Sequence, residues 1–486
     1  MSLARGGAGV PAILLAGALF AGPIAPEVRA GARPGAPASP AAPGAGAFKL
    51  PAPTRTVLKN GLTLLVLERH EIPLVQMQLM IKAGASADPA GKEGSASLTA
   101  RLLKRGTRTR PAQQFAEEAA FVGGTLDAAA GRDRTLVAGE FASRDLEVGL
   151  DLLADMVQNP IFKEEEFARE QRLAIAESVS RLDDPEQVAD EAFDAWLFGT
   201  HPYGRAPEGT KRSLQAITRA DVAAFYEARY APNNAVLAIV GDVGAAQTAQ
   251  RVEKRLGAWK RRAVPETRLP EAAPVRGRRI LLIDKPDATQ SQIRFGNVGL
   301  RRNDPEYFPL LVGSTVLGGG FTSWLVDEVR VRRGLTYFIR SSLQPYRSSG
   351  SVVVSTFSKN ATVLETIQVS LDQIRRLREG VLPAEDLDKA RSFLSGIFPV
   401  RIESPDALAR QILDIELYGL EADYINQYQK RVRAVGADAV KRAAQRVMPL
   451  EDLAIVVVGP AGSLKDSLAK LGPVTVRPIE TALDAS

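Results

Sequence analysis

Histidine and cysteine, the side chains that most often hold a catalytic metal in proteins, are nearly absent from this chain. His70 and His201 are its only two histidines, they lie far apart, and there is no cysteine. A catalytic zinc needs about three nitrogen, sulfur or carboxylate ligands and an open position for water. Neither histidine stands in a spacing that supplies such a set. The sequence therefore predicts that this chain binds no metal of its own.

The composition is that of an ordinary soluble protein. Among 486 residues, 45% are hydrophobic, 24% are charged, and 62 Lys and Arg are nearly matched by 56 Asp and Glu. The basic residues are scattered rather than massed with aromatic ones, which argues against nucleic-acid binding. We interpret one local cluster, Lys260-Arg261-Arg262, as the solvated face of a linker. The chain is too long to fold around one hydrophobic core, and its length predicts roughly two to four domains.

The N-terminus has the pattern of a secretory leader. Arg5 precedes an apolar run from Val10 to Ala25, shorter than the stretch of about 20 residues that spans a bilayer. We expect residues 1–30 to be a signal peptide cleaved after Ala30, and the mature chain to be periplasmic. The alternative is an uncleaved leader that tethers the protein to the membrane. Residues 31–50, rich in Ala, Gly and Pro, are expected to be a disordered spacer, because they cannot offset their ordering entropy by burial.

Beyond the spacer the sequence is duplicated. Leu64 corresponds to Ile280 and Asp88 to Asp304 at an offset of 216, and Val236 corresponds to Ala454 at an offset of 218. A near-constant offset over this distance predicts two tandem homologous domains. The apolar stretches expected to be strands are 64–67, 75–81, 137–141 and 236–241, with 280–283, 293–295, 353–357 and 454–459 as their counterparts.

Helical patterns fill the intervals between these stretches. The predicted helices are 145–158, 164–181, 362–378 and 384–393. Strands that alternate irregularly with helices predict an α+β fold of two α/β layered domains, each with a mixed, antiparallel-rich sheet packed with helices. A segment without periodicity, rich in Pro, Arg and Glu, separates the halves. The expected divisions are an N-terminal domain at 51–260, a linker at 261–276, a C-terminal domain at 277–472 and a tail at 473–486.

Short motifs in a fixed order, from residue 51 to about residue 470, carry a family resemblance. These motifs are Gly61-Leu62-Thr63, Gly123-Gly124-Thr125-Leu126-Asp127, His201-Pro202-Tyr203-Gly204, Tyr230-Ala231-Pro232-Asn233-Asn234, Gly318-Gly319-Gly320-Phe321-Thr322-Ser323-Trp324-Leu325 and Gly334-Leu335-Thr336-Tyr337. On them the chain resembles the pitrilysin/insulinase superfamily of zinc metallopeptidases (inverzincins), most closely its short, processing-peptidase-like branch. The resemblance implies a two-domain chain that forms half of a clamshell.

Active members of that superfamily carry an inverted His-x-x-Glu-His motif on a helix, with two zinc ligands and a general base. On the register set by the flanking glycines, Ser97 and Arg101 stand at the two histidine positions and Ala100 stands at the base. The third ligand position, a Glu on a later helix, corresponds to Glu177. One carboxylate cannot hold zinc with useful affinity. We favour the alternative that Glu177 is an ordinary helix-surface residue paired with Arg101.

The resemblance also implies an Arg and a Tyr, seven residues apart, that reach the substrate across a chamber. Arg330 and Tyr337 match this pair. A guanidinium and a phenol both donate hydrogen bonds, so together they would stabilise the charge that develops on a peptide carbonyl oxygen. We expect Arg330 in the last turn of a helix that ends at Gly334, and Tyr337 at the start of the next strand. A basic helix end followed by a strand tyrosine, with no role in binding, is the alternative.

These features predict the non-catalytic subunit of a heteromeric zinc metallopeptidase. A homologous partner would carry the intact inverted motif and the zinc, while this chain would supply Arg330 and Tyr337. Peptide substrates would add a strand to a sheet edge. Gly318, Gly319 and Gly320 would either contact such a peptide or form a tight turn before a helix. Two other hypotheses stay open: a purely structural pseudo-peptidase, against which the retained pair counts, and a stand-alone peptide-binding protein.

Overall fold

Two six-stranded sheets, each packed with helices, make up the part of the chain that the computed structural model describes, residues 49–482. The predicted signal peptide and nearly all of the predicted spacer lie outside these residues. The strands are β1 (Thr54–Val57), β2 (Thr63–Glu68), β3 (Leu74–Ile81), β4 (Thr125–Ala130), β5 (Thr135–Ala142), β6 (Ala235–Gly241), β7 (Arg278–Asp284), β8 (Gln290–Gly299), β9 (Ile339–Pro345), β10 (Gly350–Lys359), β11 (Leu453–Gly459) and β12 (Val474–Pro478). The helices are α1 (Ser95–Leu103), α2 (Ala112–Phe121), α3 (Leu146–Gln158), α4 (Glu164–Ser180), α5 (Pro185–Phe198), α6 (Lys211–Ala216), α7 (Arg219–Arg229), α8 (Ala245–Leu256), α9 (Tyr307–Gly318), α10 (Val363–Glu379), α11 (Ala384–Arg401), α12 (Pro405–Tyr418), α13 (Tyr424–Arg433), α14 (Ala437–Val447) and α15 (Ala461–Leu468).

The two sheets repeat one topology, which confirms the predicted duplication and the α+β class. The strand order is β1-β2-β6-β3-β5-β4 in the first sheet and β12-β7-β11-β8-β10-β9 in the second. In each sheet the pair beside the centre is parallel, β2 with β6 and β7 with β11, and the following three strands are antiparallel to their neighbours. The sheets are therefore mixed and rich in antiparallel pairs, as expected from the sequence.

The outermost strand is where the two halves differ. β1 precedes β2 in the chain and pairs with it antiparallel, whereas β12 comes from the C-terminal end and pairs parallel with β7. Residues 473–486, assigned to a tail from the sequence, thus contribute a strand to the second sheet. The signal was weak because this strand lies at a sheet edge and none of its five residues is fully buried.

A reciprocal exchange of helices covers the second face of each sheet. α5, from the first half, packs on β8 and β11, and α12, from the second half, packs on β3 and β6. All seven residues of β6 and all seven of β11 are buried. Strands covered on both faces have continuous apolar sequences rather than alternating ones. The exchange explains why both strands are apolar throughout.

Polar contacts at equivalent positions fix the exchanged helices. Gln78 of β3 donates a hydrogen bond of 2.8 Å to Asp406 of α12, and Arg294 of β8 donates one of 2.5 Å to Asp190 of α5. Gln78 and Arg294 are separated by the 216-residue offset of the repeat. The Arg294 side chain is only 3% exposed, so its charge depends on Asp190, because an unpaired buried charge is strongly destabilising.

Most predicted elements lie where the sequence places them. The four predicted helices are found as α3, α4, α10 and α11, and the segment 261–276 contains neither helix nor strand. α11 continues to Arg401 instead of ending at Phe393, because Leu394 and Phe398 extend its buried stripe. Within the described residues, no helix combines the length and apolar character needed to cross a bilayer.

The helix exchange predicts that the two halves unfold together. Phe193 of α5 is 3% exposed in a cluster with Leu281 and Val456 of the second sheet. Phe193→Ala should lower the free energy of unfolding by about 3–5 kcal/mol, measured by urea denaturation, and leave a single transition. Phe393→Ala, at a 45% exposed position of α11, is the matched control and should cost much less. Two separate transitions in the unmodified protein would contradict the exchange.

Candidate functional site

The helix that would hold a metal, α1, is fixed at its start by a buried carboxylate. Gly94 precedes the helix at φ 98°, and a side chain there would meet the backbone oxygen of Glu208 at 2.9 Å. The two oxygens of Asp88 accept hydrogen bonds of 2.8 Å from the backbone N–H groups of Gly94 and Ala96. Burial raises the pKa of Asp88 to about 7, although these two hydrogen bonds act in the opposite direction. α1 thus has a defined position and orientation.

Of the predicted site residues of α1, two are buried and the third, Arg101, reaches α4. Ser97 is 9% exposed and Ala100 is fully buried. Arg101, one turn after Ser97, keeps 26% of its side chain exposed. Because residues four apart share a face of a helix, Ser97 and Arg101 occupy neighbouring places where active members of the resembled superfamily carry two histidines.

Two parallel ion pairs join α1 to α4. Arg101 donates a hydrogen bond of 2.5 Å to Glu177, and Arg105, just beyond the end of α1, forms an ion pair of 2.7 Å with Glu170. The hydrogen bond to Glu177 raises the pKa of Arg101 above its ordinary value, and burial opposes this shift. Glu170 is 3% exposed, whereas Glu177 keeps 48% of its side chain exposed. The pair that the sequence suggested for Glu177 is therefore formed.

These residues do not fit a zinc ion. Ser97, Ala100 and Arg101 present a hydroxyl, a methyl and a permanent cation, and the only carboxylate at the third ligand position is bound to that cation. A zinc ion would have to displace Arg101 and would be repelled by it. Across residues 49–482, no group of three or more His, Asp or Glu is arranged to hold a metal.

Arg330 and Tyr337 meet on the second half of the chain. The guanidinium carbon of Arg330 lies 4.5 Å from the centre of the Tyr337 ring, and 71% of Tyr337 is exposed. Arg330 belongs to a π-helix, Val326–Arg332, and the chain leaves it at Gly334 with φ 62°. π-helical turns are rare and are frequent at functional sites. The predicted helix end at Gly334 is present, with a wider winding than that of an α-helix.

Neighbouring arginines form ion pairs with the acidic residues of this turn. Arg332 pairs with Asp327 at 2.9 Å and Arg333 pairs with Glu328 at 2.8 Å. Among the described residues, Arg330 forms no ion pair, and its guanidinium lies over the ring of Tyr337. The guanidinium is thus held in place by stacking while its N–H groups stay available.

Tyr337 does not start a strand, which corrects one sequence expectation. The side chain of Thr336 accepts a hydrogen bond of 3.1 Å from the N–H of Phe338 and donates one of 2.9 Å to its carbonyl. This local turn projects Tyr337 outward and delays β9 to Ile339. Threonine favours such side-chain to backbone bonds over a strand ladder.

The three glycines have different surroundings. Gly318 ends α9, and a side chain there would lie 2.4 Å from the backbone nitrogen of Ser341 in β9, so this glycine permits close packing. A side chain on Gly319 would lie 2.6 Å from the Cα of Thr315, whereas one on Gly320 would point into open space. Gly320 lines a cavity of about 250 Å³ together with the exposed Phe321 and the half-exposed Phe393. Only the end of the glycine run is therefore open to a ligand.

The predicted residues form two separate groups. Within the described chain, no hydrogen bond, ion pair or ring contact joins the Arg101–Glu177 group of the first half to the Arg330–Tyr337 group of the second. Sequence reasoning identified the members of both groups. It missed the cavity beside Phe321, which is lined by two large aromatic side chains outside the core, Phe321 and Phe393.

Each of the two histidines forms hydrogen bonds within its own part of the fold. His70 contacts Asp242 at 2.7 Å and Glu68 at 3.4 Å, which raises its pKa. His201 is buried; its Nδ1 accepts from the N–H of Tyr203 at 3.0 Å and its Nε2 donates to the carbonyl of Pro270 at 2.9 Å. Burial lowers the pKa of His201. Neither residue lies beside α1.

Comparison with known proteins gives consistent matches along the chain. A family model described as Insulinase (Peptidase family M16) matches residues 64–211, and one described as Peptidase M16 inactive domain matches residues 216–394. An uncharacterized zinc protease of Mycobacterium bovis is 28% identical over 418 residues, which cover 85% of this chain and 94% of that protein. An uncharacterized zinc protease of Bacillus subtilis is 22% identical over a match that covers 84% of this chain and 99% of that protein.

Solved structures share the fold. A peptidase M16 inactive domain from Pseudomonas fluorescens aligns with a TM-score of 0.79 and 25% identity, over 84% of this chain and 98% of that one. A protease from Helicobacter pylori aligns with a TM-score of 0.78 and 22% identity, over 85% of this chain and 100% of that one.

The Arg101–Glu177 pair predicts that the purified chain contains far less than one Zn²⁺ per molecule. Elemental analysis after incubation with zinc and desalting should show this, because Arg101 excludes a second cation from the carboxylate of Glu177. A chelator should also leave the thermal unfolding temperature unchanged. One tightly bound zinc per chain, with unfolding sensitive to chelation, is the contrary result.

The two histidines predict a divergent titration. The pKa of His70 should lie above the ordinary value of 6.5, and the pKa of His201 should lie below it. NMR of the two imidazole signals against pH measures both, and His70→Asn assigns the signals. Because a raised pKa stabilises the charged form, the contribution of His70 to stability is lost as pH rises through its folded pKa. Because a lowered pKa stabilises the neutral form, the contribution of His201 is lost as pH falls through its folded pKa. Coincident titrations would show that the described contacts do not form.

Proposed function

Because the chain belongs to the insulinase family of peptidases (M16) and yet has Ser97, Ala100 and Arg101 at the zinc positions, we propose that it is the non-catalytic subunit of a two-subunit zinc peptidase. The Arg101–Glu177 ion pair carries this proposal. It supports a chain that is peptidase-like in fold and cannot activate water. A homologous partner with an intact inverted motif would hold the zinc, and the two chains would close as a clamshell around peptides.

The contribution of this chain to the reaction would come from Arg330 and Tyr337. The guanidinium donates several N–H groups and the exposed phenol donates an O–H. Directed at the carbonyl of the bond to be cut, these donors would stabilise the negative oxygen that forms on water attack. The stacking of the guanidinium on the ring would hold both donors in place beforehand. Such preorganisation reduces the cost of arranging them during the reaction.

The nearest free sheet edge suggests how a peptide would bind. β9 is the last strand of the second sheet and begins two residues after Tyr337. An extended peptide could pair with the edge of β9 through backbone hydrogen bonds, which tolerate many side chains. The exposed rings of Phe321 and Phe338 would offer apolar contacts beside it. The substrate class proposed is therefore extended peptides or unfolded segments of varied sequence, met in the periplasm if the leader predicted at residues 1–30 directs export.

Reconstitution with a catalytic partner tests this function. The chain should be co-expressed with an M16 protein of the same genome that has an intact inverted motif, and hydrolysis of a quenched fluorescent peptide should be measured. We expect the complex to be active and this chain alone to be inactive. Arg330→Ala or Tyr337→Phe should lower the rate about 10²-fold, as does loss of an oxyanion donor.

The matched control is Arg332→Ala, in the same turn but paired with Asp327, which should retain activity. Full activity of both Arg330→Ala and Tyr337→Phe in a stable complex would favour a purely structural subunit. Tight peptide binding by this chain in the absence of any partner would favour a stand-alone binding protein. Chelator-sensitive hydrolysis by the chain alone would refute the proposal.

A further inference from the structure

The linker between the halves lines a large cavity that is open to solvent. It has a volume of about 1220 Å³ and lies between residues 261–269 of the linker, the end of β3 at Lys82, the segment before β6 at Asn233 and Asn234, and the β9–β10 turn at Arg347 and Ser348. The cavity is far from α1 in the chain and shares none of its residues with the Arg330–Tyr337 pair. It is therefore a separate feature of the molecule.

The charge lining this cavity is strongly unbalanced. Its lining includes five cationic side chains, Lys82, Arg261, Arg262, Arg268 and Arg347, and one acidic side chain, Glu266. Glu266 is already paired with Arg268 at 2.8 Å. The chain as a whole has 62 basic and 56 acidic residues, so the excess of positive charge is local. A concave surface of one sign concentrates counter-ions of the other sign.

Two guanidinium groups converge on one linker residue. Arg229 donates to the side chain of Thr267 at 3.1 Å, and Arg347 donates to the carbonyl of Thr267 at 3.1 Å. Burial, and then the charge of Arg347, lower the pKa of Arg229. Neither guanidinium forms an ion pair with a carboxylate in residues 49–482. Two partly buried cations held side by side repel each other, and an anion between them would relieve this repulsion.

Lys82 adds a cation that has no structural task. Its backbone N–H bonds to the carbonyl of Asn234, but its ammonium makes no hydrogen bond or ion pair to the residues described. Arg262 is held by the carbonyl of Glu227 and lies 5.9 Å from the ring of Tyr226. Cationic residues thus line the same space from three parts of the fold, which are the end of β3, the linker and the β9–β10 turn.

We propose that the cavity under the linker, lined by Lys82, Arg262 and Arg347 and flanked by Arg229, binds a small anion that carries several negatively charged oxygens. Guanidinium groups recognise phosphate and carboxylate through paired, charge-assisted hydrogen bonds, so a phosphorylated compound and a polycarboxylate share the required chemistry. The bound anion would bridge the linker to both halves of the chain.

Calorimetric titration at constant ionic strength tests the site, with pyrophosphate as the phosphate probe and citrate as the polycarboxylate probe. We expect the full-length chain to bind at least one of them with a one-to-one ratio. Binding of pyrophosphate alone would identify a phosphate site, and binding of citrate alone would identify a carboxylate site. Lys82→Gln and Arg347→Gln should each raise the dissociation constant about tenfold, as expected for loss of one charge-assisted contact.

Lys82→Gln is the decisive variant, since it removes a charge without breaking a hydrogen bond of the described structure. Arg144→Gln is the control: Arg144 is 86% exposed, contacts only its neighbour Asp145, and its loss should not change the affinity. Bound anion should also slow trypsin cleavage after Arg261, Arg262 and Arg268 in the linker. The proposal is overturned if neither probe binds, or if Lys82→Gln and Arg347→Gln both bind as tightly as the unmodified chain.

Discussion

Each sheet of this protein depends on a helix from the other half of the chain. Alternate residues of β6 face different cores: Leu237 and Ile239 pack within the first half, while Val236, Ala238 and Val240 join the core of the second half through α12. α5 covers the corresponding face of the second sheet. Because apolar surface left in water is costly, neither half could bury both faces of its sheet without a helix from the other. The duplicated sequence therefore folds as one body, which fixes the relative positions of every site described above.

At the positions where the family resemblance places zinc ligands, this body carries a cation, Arg101, paired with Glu177. Some relatives of the chain are named zinc proteases, and here α1 is largely buried with its start bound by the carboxylate of Asp88. Arg101 supplies the positive charge that Glu177 requires. A partly exposed ion pair of this kind adds little to stability, on the order of 0–1 kcal/mol. Its effect is to make the site neutral and closed to zinc.

The second half carries a different pair of residues, and that pair is open to solvent. Arg330 and the exposed Tyr337 form a donor pair beside a free sheet edge, held by a π-helical turn whose acidic residues are satisfied by other arginines. The contrast between a closed site on one half and an open pair on the other is the physical basis of the proposal that this chain supports peptide hydrolysis by a partner. The cation-lined cavity under the linker is independent of that role, because it shares no residue with either site.

The sequence by itself determined the family, the duplication and the identity of the residues at the degenerate site. Constant offsets, apolar strands and the triad Ser97, Ala100 and Arg101 are properties of order along the chain, so they need no coordinates. The family and the α+β class are confirmed. The leader and the location it implies stay predictions.

Only the tertiary structure decided which elements cover each other. α5 and α12 have ordinary helical patterns, and nothing in their periodicity says that each packs on the sheet of the opposite half. β12 escaped detection because an edge strand has no buried face to mark it, and Thr336 delayed β9 through bonds that depend on local geometry. The convergence of Arg229 and Arg347 on Thr267 joins residues far apart in sequence. Such contacts arise from the packing of the whole chain, since local patterns record which face is apolar but not what covers it.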